Sequence, residues 1–334
     1  MAVPNLRHQI ELTDDQVDHA LGALLGSACG DALGAPFEFG PPNQYSKRFP
    51  RAMLDGTGEM IGGGGFGWEP GEFTDDTQMA IALAESLIEN RRVNPEDLWA
   101  RWRAWVAEAR DVGSITGSSL RHTDWEGAAK AAHMSMGQSA GNGALMRVTP
   151  VALACVRLAP GLATRITMQA AFDQGALTHH DPAAGWGAAI AAEGTRRIIL
   201  GGASYDDVDE ALDYVPDGVG SFFATLISPR WEPGPDSLPG NGSVWGCLAQ
   251  AAWAVRTTKS FEDAMAAAID LGGDTDTVAC VAGAFAGATY GLEAIPARWL
   301  AAVHGRLATP TGVVEYRSTD LLHLGRRLLG LDNG

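Results

Sequence analysis

Cysteine and positive charge are both scarce in this chain of 334 residues. The four cysteines, Cys29, Cys155, Cys247 and Cys280, each lie inside an apolar helical pattern, and no two form a C-x-x-C pair. Buried reduced thiols explain them better than disulfides or a metal ribbon. Lysine and arginine number 24 against 40 aspartates and glutamates, a formal charge of −16. Such a chain has no basic footprint for a nucleic-acid backbone and would be repelled by an anionic membrane, so neither is an expected partner. Long hydrophobic runs are missing as well. The longest weakly polar run, Val278 to Leu292, is about 15 residues and carries Gly283, Gly287 and Gly291, which reads as a core helix too short to span a bilayer. Met1 to Thr13 contains no apolar h-region, and a cytoplasmic location is expected. Alternating strand runs are also absent.

Helical periodicity is what the chain has instead. Apolar residues recur at spacings of three and four in Val17, Leu21, Leu24, Leu25 and Ala28, in Met79, Leu83 and Leu87, in Leu98, Trp102 and Trp105, and in Phe261, Met265 and Ile269. With 46% hydrophobic and 19% charged residues the chain is globular, and an all-α, compact multi-helix bundle is expected. The 42 glycines, some spaced by four as in Gly283, Gly287 and Gly291, would let helix backbones approach closely.

Two short acidic stretches stand out, Thr74-Asp75-Asp76-Thr77 and Gly272-Gly273-Asp274-Thr275-Asp276-Thr277, each just before an apolar helical run. Either alone can be read as a helix cap with acids at the positive end of the helix dipole. A cap needs one side chain, however, and each stretch offers several. Brought together, the carboxylates would repel one another, and a divalent cation would relieve the repulsion. Carboxylates and hydroxyls suit Mg²⁺, Mn²⁺ or Ca²⁺, and the lack of Cys or His argues against zinc. Closing residues near 75 onto residues near 275 also argues for a single domain over 1–334, with its core at about 17–330.

Weaker signals surround this pair. Gly34 and Pro36 would end the first long helix and project Glu38 from a turn, as a catalytic acid or base or as an ordinary surface glutamate. Asp111-Val112-Gly113-Ser114 is turn chemistry in isolation. Ser139-Ala140-Gly141-Asn142-Gly143 precedes a helix read as running to Leu158, and could cradle a diphosphate or simply supply glycine flexibility. His179-His180-Asp181-Pro182 would put an imidazole beside substrate or metal, or else cap a helix. Asp55 to Gly71, rich in glycine, reads as a mobile substrate flap or a disordered surface loop, and the proline-rich stretch from Ser228 to Gly242 as a long loop without assigned role.

Taken in order, Gly30-Asp31-Ala32-Leu33-Gly34 with Glu38, Thr74-Asp75-Asp76-Thr77, Asp111-Val112-Gly113, Gly141-Asn142-Gly143 with Met146-Arg147, Thr178-His179 and Leu271 to Thr277 resemble the ADP-ribosylglycohydrolases of the dinitrogenase reductase-activating type. The resemblance runs from Gly26 to about Tyr290. It implies an all-α orthogonal bundle with a dinuclear cleft holding two Mg²⁺ or Mn²⁺ ions, and hydrolysis of the bond between ADP-ribose C1″ and an acceptor. Carried over residue by residue, it implies Thr74, Asp75, Asp76, Asp274, Asp276 and Thr277 as metal ligands and Glu38 and Asp111 as catalytic groups. Gly113, Ser114, Ser139, Gly141, Asn142, Gly143 and His179 would hold ADP-ribose. Ala140, Asp181 and Asp270 depart from the residues usual in the family. The expected partner is an ADP-ribosylated protein or a related conjugate.

Glycosidic hydrolysis passes through an oxocarbenium-like state, which needs negative charge near the anomeric carbon and a delivered water. Metal ions can orient the ribose and acidify a water, with Glu38 or Asp111 as general base. A catalytically silent, crystallin-like member of the same fold and a two-metal phosphoester hydrolase are the competing readings.

Overall fold

The computed structural model of the protein describes residues 9–201, 209–234 and 240–332, so part of the proline-rich 228–242 loop lies outside the described residues. In its first half the helices are α1 (Asp14–Gly34), α2 (Gln44–Arg48), α3 (Asp75–Asn90), α4 (Pro95–Val106), α5 (Ser114–Leu120), α6 (Ala128–Met136), α7 (Thr149–Cys155) and α8 (Pro160–Ala176). There follow α9 (Pro182–Ile199), α10 (Asp209–Leu212), α11 (Asp217–Leu226), α12 (Val244–Arg256), α13 (Phe261–Ile269), α14 (Thr275–Tyr290), α15 (Ala297–Ala302) and α16 (Ser318–Leu328). The helical fold expected from periodicity is the one observed.

Helices α1 and α14 form the centre. The first is started by a reciprocal cap, Thr13 Oγ1 accepting from the Gln16 amide at 3.2 Å and Gln16 Oε1 accepting from the Thr13 amide at 3.1 Å. From Ala20 to Gly34 every residue of α1 is buried, as is every residue of α14 from Thr275 to Ala288. Helices apolar all round belong inside a core. By length and composition the segment Asp14–Phe37 could cross a membrane, a longer apolar helix than the Val278–Leu292 run, yet 94% of its apolar window is buried inside the protein.

Glycines every fourth residue on α1 explain how close the pair comes. A Cβ built on Gly22, Gly26, Gly30 or Gly34 would lie 2.5, 2.3, 2.0 and 2.4 Å from the carbonyl oxygens of Gly287, Gly283, Ala279 and Thr275 respectively. Contacts that short require backbone to move, so a methyl group is excluded along the whole seam. The correspondence also runs the two helices antiparallel and brings the end of α1 against the start of α14. Gly30→Ala is therefore expected to destabilise the fold by about 1–3 kcal/mol or more, read as a lowered denaturant midpoint; an unchanged midpoint would contradict this packing.

Around this pair, α12 and α13 pack on α14, α9 covers α12, and α3 with α4 and α7 close the other side. Among the described residues the helices are joined by one two-stranded sheet: β1 (His304–Thr309) and β2 (Gly312–Arg317) pair antiparallel from His304↔Arg317 to Thr309↔Gly312. Six-residue strands give too little alternation to separate from loop. The hairpin matters because it anchors the approach to the first acidic stretch: the Phe73 amide donates to the His304 carbonyl at 2.9 Å, and the His304 amide to the Gly71 carbonyl at 2.9 Å.

The glycine-rich segment before it is folded on itself rather than forming a free flap. Gly63 and Trp68 exchange both main-chain hydrogen bonds, at 2.8 and 2.9 Å. Trp68 is buried, and the Arg110 guanidinium lies 4.4 Å from its ring centroid while also pairing with Glu72.

Candidate functional site

The site is assembled where the end of α1 meets the starts of α3 and α14. Asp31, fully buried on the last turn of α1, receives the Thr74 amide at 3.0 and 3.1 Å, the Thr77 amide at 3.1 Å and the Thr77 hydroxyl at 2.5 Å. It thereby binds the start of α3, where amides have no partner within the helix. Thr74 also caps α3, its hydroxyl accepting from the Asp76 amide at 3.4 Å. The capping reading thus holds for Thr74 but leaves Asp75 and Asp76 free for other work. Asp75 accepts from the Gly113 amide at 3.4 Å, which draws the Asp111-Val112-Gly113 turn to the same place.

The second stretch is not a cap. Asp274 precedes α14, but its side chain makes no capping bond; it accepts instead from Asn142 Nδ2 at 2.9 Å. Gly272 and Gly273 have φ of 72° and 73°, the left-handed region that glycine tolerates at no steric cost. Their turn pairs with the chain after Glu38: the Phe39 amide donates to the Gly273 carbonyl at 2.7 Å and the Gly273 amide to the Gly40 carbonyl at 2.9 Å. Asn241, from the end of the proline-rich loop, clamps the same turn by accepting the Asp274 amide at 3.0 Å and donating to the Gly272 carbonyl at 2.8 Å.

The two acidic stretches consequently meet. Thr277 Oγ1 donates to Asp76 Oδ2 at 3.4 Å, and carboxylate oxygens of Glu38, Asp274 and Asp276 all lie within 4.8 Å of one another. Asp76 Oδ1 and Glu38 Oε2 are buried without any hydrogen-bond partner. Burial, and then repulsion from neighbouring carboxylates, pushes Asp75, Asp76 and Asp276 well above the usual range. The same causes raise Glu38 to about 8, with Asp111 its leading charged neighbour, and burial with Asp274 raises Asp111 to about 6. Buried acceptors without donors, converging in one cluster, fit a hard divalent cation. The nearby thiols of Cys247 and Cys280 are pushed well up, chiefly by burial, and so stay protonated rather than ligating.

Cation binding to such a cluster must displace protons. Affinity for Mn²⁺ is therefore expected to rise with pH, because Asp75, Asp76 and Asp276 are held well above the usual carboxylate range, and the rise should include the interval from about 6 to about 8 in which the neighbouring Asp111 and Glu38 lose their protons. Titration calorimetry in buffers of different ionisation enthalpy would detect the released protons, and a pH-independent affinity would contradict the assignment.

The remaining expected binding residues are distributed unevenly. Asn142 is buried, with its amide on the Gly242 carbonyl at 3.2 Å, and joins the Gly141–Gly143 turn to Asp274. That turn, Asn142–Ala144, is a separate 3₁₀ turn; the helix beyond it starts only at Thr149 and ends at Cys155, not Leu158. His179 packs on the turn, its Nε2 3.2 Å from where a Cβ on Gly143 would stand. Ser139 is wholly buried, its hydroxyl accepting the Asp181 amide at 2.8 Å and facing His133 Nδ1 at 2.8 Å, so it braces the turn from behind. Gly113 and Ser114 open α5 and are exposed. Asp181 caps α9 through the Ala183 amide, and Asp270 accepts the Ser46 amide at 3.0 Å.

Asp31 and Asn241 carry this arrangement without having been assigned any role from the sequence. Asp31 had a detectable signal, a charge on the apolar face of a core helix, which must find partners when buried. Asn241 sits in an irregular loop and had none.

A family model described as ADP-ribosylglycohydrolase matches residues 12–333. The chain is 32% identical over 314 residues to an ADP-ribosylarginine hydrolase Tri1 of Serratia proteamaculans, covering 86% of this chain and 75% of that protein. It is 30% identical over 286 residues to the ADP-ribosyl-[dinitrogen reductase] glycohydrolase of Rhodospirillum rubrum, covering 85% and 89%. A solved structure titled as an ADP-ribosylglycohydrolase-related protein complex superposes with a TM-score of 0.73 at 29% identity, covering 96% of this chain and 99% of that one.

Proposed function

Because the chain belongs to the ADP-ribosylglycohydrolase family, we propose that it is a divalent-cation-dependent hydrolase that cleaves the bond between C1″ of ADP-ribose and a modified protein side chain. The observation that carries this reading is the convergence of Glu38, Asp274 and Asp276 within 4.8 Å beside the unpartnered Asp76 Oδ1. Two acidic helix starts facing one another support a pair of Mg²⁺ or Mn²⁺ ions, held by Thr74, Asp75 and Asp76 from one side and Asp274, Asp276 and Thr277 from the other. When bound, the ions would orient the ribose hydroxyls and lower the pKa of a water.

The chain's own residues supply the rest. Glu38 is the general base: its Oε2 is free, it is beside the cation ligands, and its environment already tunes its proton affinity toward neutral. Asp111, which lies between Glu38 and α14 in sequence and within the electrostatic reach of both Glu38 and Asp274, supplies negative potential for the oxocarbenium-like state. Asn142 and the Gly141–Gly143 turn bind the diphosphate with His179. The higher identity to a relative named for ADP-ribosylarginine favours an arginine-linked acceptor.

Incubating the protein with arginine-linked, serine-linked and O-acetylated ADP-ribose, with and without chelator, tests the reading. Release of free ADP-ribose from the arginine-linked target, abolished by chelator, is expected; no release from any linkage would refute the proposed activity.

A further inference from the structure

Resting on the reading that ADP-ribose lies along the Gly141–Gly143 turn, we propose that Arg147 and Thr178 are positioning residues that fix His179 as its Nε2–H tautomer and aim that N–H at the diphosphate.

Arg147 is an unusual residue to find fully buried, and among the described residues it forms no ion pair with a carboxylate. Its donors are nonetheless engaged. Nε donates to Gln174 Oε1 at 2.8 Å, Nη2 to the Gln174 carbonyl at 3.1 Å and to Thr178 Oγ1 at 2.9 Å, and Nη1 approaches Met79 Sδ at 3.7 Å. The guanidinium carbon stands 4.0 Å from the Trp102 ring centroid. Gln174 is itself tied down by donating to the carbonyls of Ala144 and Ala171 at 2.9 and 3.0 Å. Burial lowers the guanidinium to about 9, and the field of Asp75 opposes that fall, so it stays charged at neutral pH.

The consequence passes through one hydroxyl. Thr178 is completely buried, and its Oγ1 lies 2.8 Å from His179 Nδ1. A guanidinium has no acceptor, so in the Arg147–Thr178 contact the hydroxyl must accept. Its single proton then needs an acceptor, and among the described residues His179 Nδ1 is the one within reach. Were Nδ1 protonated, the hydroxyl proton would be stranded in a dry interior, at a cost typical of an unmade buried hydrogen bond. Nδ1 therefore accepts, and the neutral ring carries its proton on Nε2. The ring is neutral because burial and the Arg147 charge push it down to about 3. Among the described residues Nε2 has no hydrogen-bond partner, and it lies against the turn, 3.2 Å from a Cβ position on Gly143 and 3.5 Å from one on Gly141. A donor without a partner, held against a glycine turn beside the acidic cluster, is suited to a ligand oxygen. The buried Arg147 charge behind the ring suits the anionic part of the ligand rather than the ribose bound by the cations.

Two measurements test this on the full chain. Long-range ¹⁵N–¹H correlation spectra of histidine-labelled protein report which ring nitrogen is protonated, without ligand or turnover. Wild type and Thr178→Ser should show His179 with a bare Nδ1 and a protonated Nε2, whereas Thr178→Val should show a mixture or the opposite tautomer. ADP-ribose binding by calorimetry should weaken roughly two- to tenfold in Thr178→Val, the loss expected for one hydrogen bond, and recover in Thr178→Ser. A protonated Nδ1 in the wild type, or Thr178→Val with unchanged tautomer and affinity, overturns the proposal. Wild-type protein that binds no ADP-ribose while showing the stated tautomer overturns the functional reading and the ligand half of the proposal, and supports the relay itself.

Discussion

Glu38→Gln is expected to lower turnover by roughly 10²- to 10⁴-fold, the loss that follows removal of a general base, while ADP-ribose affinity changes little. The substitution keeps size and one acceptor oxygen but cannot take a proton. Glu38 follows the 3₁₀ turn Ala35–Phe37 that ends α1, and the Gly40–Gly273 pairing fixes it beside Asp274. Its Oε2 is buried and unpartnered, and the field of Asp111, Asp274 and Asp31 adds to burial in holding its proton affinity high. A surface glutamate, the competing reading of the sequence, would show neither property. Asp111→Asn is expected to be less severe, because the role proposed for Asp111 is to stabilise charge rather than to move a proton. Single-turnover rates alongside calorimetric ADP-ribose affinities separate the two roles, and near-normal turnover in Glu38→Gln would remove it from the mechanism.

Asp31→Ala is expected to weaken Mn²⁺ binding by roughly 10- to 100-fold, as loss of a group that orients metal ligands does, although Asp31 is assigned no ligand role. Without its carboxylate the Thr74 and Thr77 amides and the Thr77 hydroxyl lose their shared acceptor inside the core. Leaving buried donors unpaired costs about 1–3 kcal/mol each, and relief of the repulsion that Asp31 exerts on Asp75 and Asp76 offsets part of that. The start of α3 is then free to shift, and with it Asp75 and Asp76, the proposed ligands on that side. Asp31→Asn, which keeps one acceptor, should fall between wild type and alanine. Equal Mn²⁺ affinity in all three proteins would show that α3 is placed by packing alone.

Much of this arrangement is legible before folding, and the reasons are local. Helices with three-and-four spacing, such as Leu98, Trp102 and Trp105, announce themselves because a 3.6-residue period repeats over several turns. The acidic stretches are readable because several hard ligands in four to six residues exceed what a cap needs. What sequence could not supply is pairing at a distance. The Gly283, Gly287 and Gly291 spacing signals a close helix contact, but nothing in it names α1 as the partner. The matching glycines at 22, 26, 30 and 34 become meaningful only once the two helices are side by side. The β1–β2 hairpin is too short to stand out, and the proline-rich loop hides Asn241, whose clamp on Asp274 depends wholly on tertiary position. Ser139 shows the reverse error of inference: a hydroxyl in a glycine-rich turn suggests ligand contact, yet it is spent on His133 and Asp181 inside the protein.

The central claim is that two acidic stretches nearly two hundred positions apart form one cation site. Anomalous diffraction at the manganese edge, from crystals soaked in Mn²⁺, addresses it most directly. Anomalous peaks bounded by Asp75 and Asp76 on one side and Asp274 and Asp276 on the other, with Glu38 close by, are the expected result. Crystals saturated with Mn²⁺ that show no peak among these carboxylates would contradict it.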